Sequence, residues 1–386
     1  MTELRVVIVG GGIGGAAAAR ALLLRGFDVN LFEQAAKLAE VGAGVAIAPN
    51  AVRMLRRLGC GGAVDRWGSR WTDTGFCRPD GEVVMPMLEP GEDGRPLEFY
   101  GMHRADVLDM LLDGIPPERV HPGHRCVGFT QDDRHATVHF ANGRSVTADV
   151  VVGADGIHSA LQPFVVPPAT PIHSGVSASR GTIPSRSVGW PPGRARLWMG
   201  EGKHFLVFPV RNNELVNYVG FVPTKEERRE SWSAPGDPRD LAEAFAGWDS
   251  SVVKVIEQIE ATFTWGLYDR EPLPRWTNGC LTLLGDAAHP MLPHQGQGAN
   301  QAIEDAAALA ALLDYYRDDP TTALLTYEQV RQARTADIQG LSRVSGANYD
   351  ARRDAARDQE LKEKVASRAW IYDYDAEAEA LAAIAP

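Results

Sequence analysis

Residues 4–33 read LRVVIVGGGIGGAAAARALLLRGFDVNLFE, and the order of textures in this stretch decides the fold. Leu4 to Val9 is a short, mostly apolar run suited to a strand buried on both faces. Gly10 to Gly15 is a turn, Ala16 to Leu24 is an Ala/Leu-rich helix, and Gly26 stands where a helix-ending glycine belongs. Val29 to Glu33 is a second strand. Strand, helix and strand in this order imply a parallel sheet with a right-handed crossover. Within the turn, Gly10 permits the tight bend, Gly12 lets a pyrophosphate approach the backbone, and Gly15 allows the helix to pack closely on the strand. Ile13 and Gly14 complete the turn, at the helix N-terminus, where unpaired amides favour an anion. Glu33, followed by Gln34, closes the second strand at the position that bonds a ribose 2′-hydroxyl. An acid there repels a 2′-phosphate, so the residues point to bound FAD or NAD and away from NADP.

Composition narrows the class further. The chain has 386 residues, with 39 Lys and Arg against 50 Asp and Glu and a formal net charge of −11. Its 44% hydrophobic and 23% charged content excludes a disordered or low-complexity chain. An acidic balance makes a poor nucleic-acid binder, because such binding draws on clustered Lys and Arg. Cys60, Cys77, Cys126 and Cys280 stand far apart with no CxxC and no His–Cys cluster, so no disulfide framework and no metal site are expected. Arg20 and Arg25 interrupt the most apolar early window, and no export or membrane segment is read. A cytoplasmic protein is the expectation.

Further along, CRPDGEVV within Gly75 to Phe99 reads as a hairpin, and His103 to Leu112 as a helix. Thr137 to Phe140 and Ser145 to Val152 read as two strands flanking the Asn142-Gly143 turn. The Pro-rich run from Pro163 to Pro171 marks a crossing between domains. Strand-like segments then continue to about Thr264, with an amphipathic helix over Val252 to Ile259. Gln301 to Tyr315 and Ala323 to Ala336 read as helices, and the alternating charges from Asp350 to Ala366 as a solvated helix. No Ser-His-Asp arrangement, HExxH or P-loop occurs.

Two later motifs separate FAD from NAD. Asp149 to Ser159 reads DVVVGADGIHS, an apolar strand ending in Asp155-Gly156. Leu281 to Asp305 reads LTLLGDAAHPMLPHQGQGANQAIED: a strand, Gly285-Asp286, a Pro/Gly loop and a helix. With these motifs in this order, the chain resembles the single-component (group A) FAD-dependent aromatic hydroxylases, the group of para-hydroxybenzoate and salicylate hydroxylases. The likeness covers nearly the whole chain and is weakest beyond about Tyr349. It implies an α/β fold: a Rossmann-like FAD-binding domain interrupted by a β-rich substrate domain, with C-terminal helices. The expected bounds are 1–74, 101–168 and 270–349 for FAD, 75–100 and 169–269 for substrate, and 350–386 for a helical segment.

The resemblance also implies roles. Asp286 would accept a bond from an FAD ribityl hydroxyl, and the loop from Pro293 through Gly296 to Asn300 would wrap the isoalloxazine. The amides of Gly298, Ala299 and Asn300 would lie near N1, where the N-terminus of a helix beginning near Asn300 stabilises negative charge. Arg104 would contact the flavin, Val127 would meet the adenine through its backbone, and Asp155 belongs to the Asp-Gly motif. The family arginine after that motif is missing: Ser159 is followed by Ala160, Leu161 and Gln162, which leaves NADH versus NADPH open. In KHFLVFPV, His204 and Phe208 share a strand face. Related hydroxylases place a substrate-facing histidine there, and imidazole suits phenol deprotonation near neutral pH; a core histidine with a backbone partner gives the same pattern. Phe208 and Pro293 are further substrate-site candidates, Gln297 is a candidate polar contact, and Arg180 is either an anchor for an anionic substrate or half of a structural ion pair.

The implied activity is hydroxylation of a small aromatic or heteroaromatic compound, a phenol above all, with NADH or NADPH and O2 through a flavin C4a-hydroperoxide, by a monomer or homodimer. An FAD oxidoreductase without oxygen insertion, and epoxidation or other oxidative tailoring of a natural product, are the alternatives.

Overall fold

The computed structural model describes residues 4–38, 43–91, 94–168, 170–224, 235–352 and 354–384, so the expected bounds at 1, 169 and 386 fall outside the described residues. The strand Arg5–Val9 lies in the middle of a six-stranded sheet, parallel to Asp28–Phe32 on one side and to Val150–Gly153 on the other. Leu281–Leu283 extends the sheet in parallel beyond Val150–Gly153, and Val120–His121 closes the other side. All four side chains of Val6 to Val9 are buried, as are those of Val150 to Val152, as the unbroken apolar runs required.

The segment Ser145 to Val152, expected as one strand, is two. Ser145–Ala148 pairs with Ala136–Phe140 in a separate three-stranded sheet, whereas Val150–Gly153 joins the parallel sheet. The chain changes sheets at Asp149, whose carboxylate accepts bonds from the Arg5 backbone and guanidinium, both at 2.8 Å. The alternating Ser145–Ala148 runs straight into the continuous apolar Val150–Gly153, with only Asp149 between them to mark the switch.

The second large element is an eight-stranded sheet in the order Pro235–Gly236, Thr262–Asp269, Ile172–Pro184, Leu215–Pro223, Lys203–Val210, Arg194–Gly200, Asp73–Cys77 and Val83–Met85. Asp73–Cys77 and Val83–Met85 form the hairpin read in CRPDGEVV, although the first strand begins two residues ahead of the expected bound at 75. One face packs under the helices Pro238–Ala244 and Ser250–Glu257, with Phe205, Val207, Tyr218 and Trp198 buried against Leu241, Phe245 and Val255. The opposite, inner face carries cross-strand rows: Trp265, Ala178, Phe221 and His204; then Arg180, Val219 and Leu206; then Thr182, Asn217 and Phe208. His204 and Phe208 do share a face, as strand alternation requires.

Two helices run longer than expected. Gly298–Tyr315 starts three residues before Gln301, and Pro320–Tyr349 continues through Gly340 and Gly346 for 30 residues. Glycine costs a helix roughly 1 kcal/mol, and tertiary bonds offset it here: Gln339 Nε2 donates to the Pro290 carbonyl and Ser342 Oγ to the Leu292 carbonyl. The charged Ala355–Ala366 helix is not wholly solvated, because Leu361 and Val365 are buried and Arg78 pairs with Asp358 at 2.6 Å. No described helix is long and apolar enough to cross a membrane.

At the first turn the glycines divide by function. A Cβ on Gly15 would stand 1.9 Å from the Gly10 carbonyl oxygen, and one on Gly10, whose φ is +110°, would stand 2.1 Å from the Ala154 carbonyl oxygen. A Cβ on Gly12 meets nothing within 4 Å. Gly15→Ala should therefore fail to fold or lose several kcal/mol, as overpacking does, whereas Gly12→Ala should keep its melting temperature and lose dinucleotide affinity. Thermal melts with a cofactor titration test this; a Gly12→Ala protein that unfolds like Gly15→Ala would refute the division.

Candidate active site

The Ile13–Leu23 helix begins at Gly12 with no side-chain cap and no acidic residue in its first turn. Its amides face the open space beside Gly12, a fit for a pyrophosphate. Glu33 Oε2 accepts from the Gly11 amide and Oε1 from the Ala35 amide, each at 2.7 Å. These bonds fix the carboxylate beside the glycine turn, and each oxygen retains a further lone pair for a ligand hydroxyl. Gln34 follows on the surface.

The second helix N-terminus is built the same way. In Gly298–Tyr315 the first intrahelical bond runs from the Gln301 amide to the Gln297 carbonyl at 2.8 Å, leaving the amides of Gly298, Ala299 and Asn300 without a helical acceptor. No side chain caps it and its first turn holds no acid. Asp286 Oδ1 stands 3.8 Å from where a Gly298 Cβ would be, so a carboxylate and a set of amides border one space. Pro293–Gln295 forms a 3₁₀ turn ended by left-handed Gly296. Asn300 locks the loop to the strand Gly44–Ile47: Ala48 N donates to its Oδ1 at 2.8 Å, and its Nδ2 donates to the carbonyls of Ala46 and Gly296. The start of the helix ahead of the expected Gln301 accords with this clamp, which lies inside the first turn.

Gln297 is placed differently from the expected substrate contact. It is 1% exposed, and its Oε1 accepts from Asn50 and Gln301, each at 3.1 Å, facing inward under the loop. Only its Nε2 lacks a partner. Behind it lies a buried ionic cluster in which Arg331 pairs with Glu304 at 2.6 Å and with Asp305 at 2.8 Å, and Arg334 pairs with Glu304 at 2.8 Å. Burial works to raise the Asp305 carboxyl, but His289 and Arg331 outweigh it and hold the group below its ordinary range. His289 thus serves this support through its 2.6 Å bond to Asp305.

Around the rim, Arg104 opens the helix Arg104–Leu112 and its amide donates to the Ala43 carbonyl. Val127 lies exposed on the strand Cys126–Gln131, at the register shift between the paired Cys126 and Gly128. Asp155 accepts from the Ala160 amide at 2.7 Å, and burial raises its carboxyl above the ordinary range. The Gln162 side chain is engaged elsewhere: its Nε2 donates to the Ala287 carbonyl at 2.9 Å.

The loop covers the inner face of the eight-stranded sheet, with Leu292 packed against Ala178, Phe221 and Trp265. On that face His204 is 1% exposed and stacks on Phe221 with ring centroids 4.1 Å apart. Arg180 is 7% exposed and lies over Trp265 at 4.6 Å. Phe208 packs on Trp71 and stands beside Gly44. Asn217 accepts from the Gly44 amide at 2.7 Å, while its buried Nδ2 has no partner. Between the buried rows, Val219 and Leu206 remain partly open. This is the floor of a hollow with apolar walls and a few convergent polar groups, the make-up of a small-molecule site.

Sequence reasoning missed the wall of this hollow. Tyr349 and Asp350 come from the end of the long helix, and Gly346 lies so close to His294 that a Cβ would sit 2.6 Å from its ring. The signal was present: Ser342, Ser345 and Gly346 recur at helical spacing as a stripe of small residues where the loop sits, with Tyr349 one turn on.

Comparison with known proteins bears on this arrangement. The model of the FAD binding domain family matches residues 3–341. The chain is 37% identical to a 3-amino-4-hydroxybenzoate 2-monooxygenase of Streptomyces platensis, over 96% of each protein. It is 35% identical to a salicylate hydroxylase of Pseudomonas putida, over 96% of this chain and 93% of that one. A solved salicylate hydroxylase substrate complex superposes with a TM-score of 0.84 at 30% identity, covering 100% of this chain and 99% of that one. The chain belongs to the FAD-dependent aromatic hydroxylases. The open space at Gly12, the two uncapped helix starts and the unpartnered Nε2 of Gln297 and Nδ2 of Asn217 fit FAD and a polar aromatic ligand.

In this hydroxylase His294 stays neutral. Burial first, and the neighbouring His204 second, push its imidazole down to about 3. An unfolded histidine titrates near about 6.5, so between these limits the unfolded chain binds the extra proton and stability falls as pH falls from about 6.5 toward about 3. His294→Gln should flatten this decline. Urea midpoints measured from pH 7 down to pH 4.5 check it, and an unchanged slope would remove His294 as its source.

Proposed function

We propose that this protein hydroxylates a hydroxyaryl carboxylate, with NADH or NADPH supplying two electrons and O2 the inserted oxygen atom. For ring hydroxylation, ArH, NAD(P)H, H+ and O2 give ArOH, NAD(P)+ and water. One observation carries the substrate class: a buried histidine and a buried arginine, His204 and Arg180, stand in adjacent cross-strand rows of the same sheet face beneath the loop, with the partly open Val219 and Leu206 in the Arg180 row. A ring bearing a hydroxyl and a carboxylate would offer a proton to the histidine and an anion to the arginine. The relatives named above act on 3-amino-4-hydroxybenzoate and salicylate, which carry these two groups.

In this reading FAD is held by Gly10, Gly12, Ile13, Gly14 and Gly15, with Glu33 and Gln34 at its ribose, Val127 at the adenine, Asp155 and Asp286 along its length, and Arg104 with the Pro293–Asn300 loop at the ring. When bound, it accepts hydride from the nicotinamide and activates oxygen. The chain does the rest. His204 removes the phenolic proton, which raises electron density on the ring. Arg180 holds the carboxylate, its guanidinium spread over Trp265. Phe208, Pro293 and Leu206 wall the ring from water, whose entry would divert the reduced oxygen to hydrogen peroxide. Gln297 acts as a support for the loop through Asn50 and Gln301. Residues 1–74, 101–168 and 270–349 serve the cofactor, and 75–100 with 169–269 serve the substrate. Four buried thiols, with no disulfide among them, support a reducing cytoplasmic setting.

Two variants test the assignment. His204→Gln should retain FAD yet slow hydroxylation by about 10²–10⁴-fold, with the loss shrinking at high pH where the phenol ionises unaided. Parallel pH–rate profiles for wild type and variant would rule out the base. Arg180→Met should raise KM for 3-amino-4-hydroxybenzoate or salicylate by about tenfold or more, the worth of a charge-assisted bond, and leave the corresponding carboxamides unaffected. An equal loss for acid and amide would remove Arg180 as the anchor.

A further inference from the structure

We propose that Asp350 is a positioning residue for His204, fixing the tautomer in which Nδ1 carries the proton and Nε2 is bare. This rests on the reading of His204 as the base. Asp350 caps the end of the Pro320–Tyr349 helix. Its Oδ1 lies 2.7 Å from His204 Nδ1. A carboxylate accepts and cannot donate, so Nδ1 must be the donor and the neutral ring keeps its lone pair on Nε2.

Asp350 is itself held firmly. The Gly202 amide, in the turn before the His204 strand, donates to the Asp350 carbonyl at 2.7 Å, and the Asp350 amide donates to the Gly346 carbonyl at 3.1 Å. The helix end is therefore tied by backbone to the strand that carries the histidine, leaving the carboxylate for one task. His204 cannot swing, because it stacks on Phe221 at an interplanar angle of 16°. The titratable groups facing it are Asp350 and Tyr349 from the long helix and His294 from the loop, at 5.4 Å and 5.2 Å between rings for the last two. Asp350 is the anion among them. It stabilises the imidazolium that forms when the phenolic proton is taken, and Nε2 is the atom that takes it.

The arrangement assigns chemistry to a segment beyond the strongest family likeness. The carboxylate and the histidine are 146 residues apart in sequence and meet only because the long helix crosses the inner face of the sheet.

The test uses the FAD-loaded enzyme with 3-amino-4-hydroxybenzoate or salicylate and measures product formation. Asp350→Asn keeps both backbone bonds and should retain FAD. Its kcat for hydroxylation should fall on the order of 10-fold to 10²-fold with KM little changed, a fraction of the full worth of a general base. The acid limb of its pH–rate profile should move to lower pH, because no carboxylate then stabilises the protonated ring. In a His204→Gln background, Asp350→Asn should cost nothing further. A variant that slows turnover with an unmoved pH profile, or costs the same in the His204→Gln background, would overturn the positioning role alone. Wild-type rates in His204→Gln itself would overturn the base reading and this role with it.

Discussion

Two carboxylates and two guanidiniums sit together between the Gly298–Tyr315 and Pro320–Tyr349 helices with almost no contact with water. Taking such charges out of water costs several kcal/mol each, and loss of one partner from a buried pair typically costs about 3–5 kcal/mol. Their attraction must therefore be complete for either helix to hold its place. Glu304 accepts from Asn50, Asp305 from the Gly285 amide, and Arg334 donates to the Ile371 carbonyl. Through these bonds the cluster joins the residue before Asp286, the Pro49–Arg57 helix whose Asn50 also donates to Gln297, and the C-terminal segment. The geometry of the loop is set from behind, by ions it does not touch, and the cofactor side of the loop is left to backbone amides.

That division explains the character of the site. The groups proposed to meet a ligand are few and are held by their neighbours: Glu33 by two amides, Asn300 by three backbone groups, His204 by a stacked ring and a carboxylate. Such second contacts keep a first contact within the narrow tolerance that proton transfer needs. The inner sheet face supplies shape, and the long helix supplies orientation.

Much of this was legible in the chain. The glycines of the first turn declare themselves because only a missing Cβ fits at Gly10 and Gly15, and strand alternation placed His204 with Phe208. The Asp286 motif and loop were visible because turn residues crowd there. What escaped depended on distance in sequence. Asp350 reads as one more charge in an alternating run, and nothing local says that it faces a histidine. Gln297 reads as a loop residue open to a ligand, yet Asn50 and Gln301 turn its oxygen inward. The sheet change at Asp149 is hidden because an alternating strand runs into a continuously apolar one with a single residue between them. The long helix runs past Gly340 and Gly346 because tertiary bonds outweigh propensity.

The central place of Arg5–Val9 in the parallel sheet bears on how the chain is made. Val150–Gly153, its partner on one side, follows about 144 residues later, and Leu281–Leu283 later still. At ribosomal speeds of ~5–20 residues per second, the first strand leaves the exit tunnel and waits roughly 7–30 s with one apolar edge unpaired. The nascent protein therefore carries a sticky edge from its first moments, and a folding helper that shields the amino-terminal unit should matter most before residue 150 emerges.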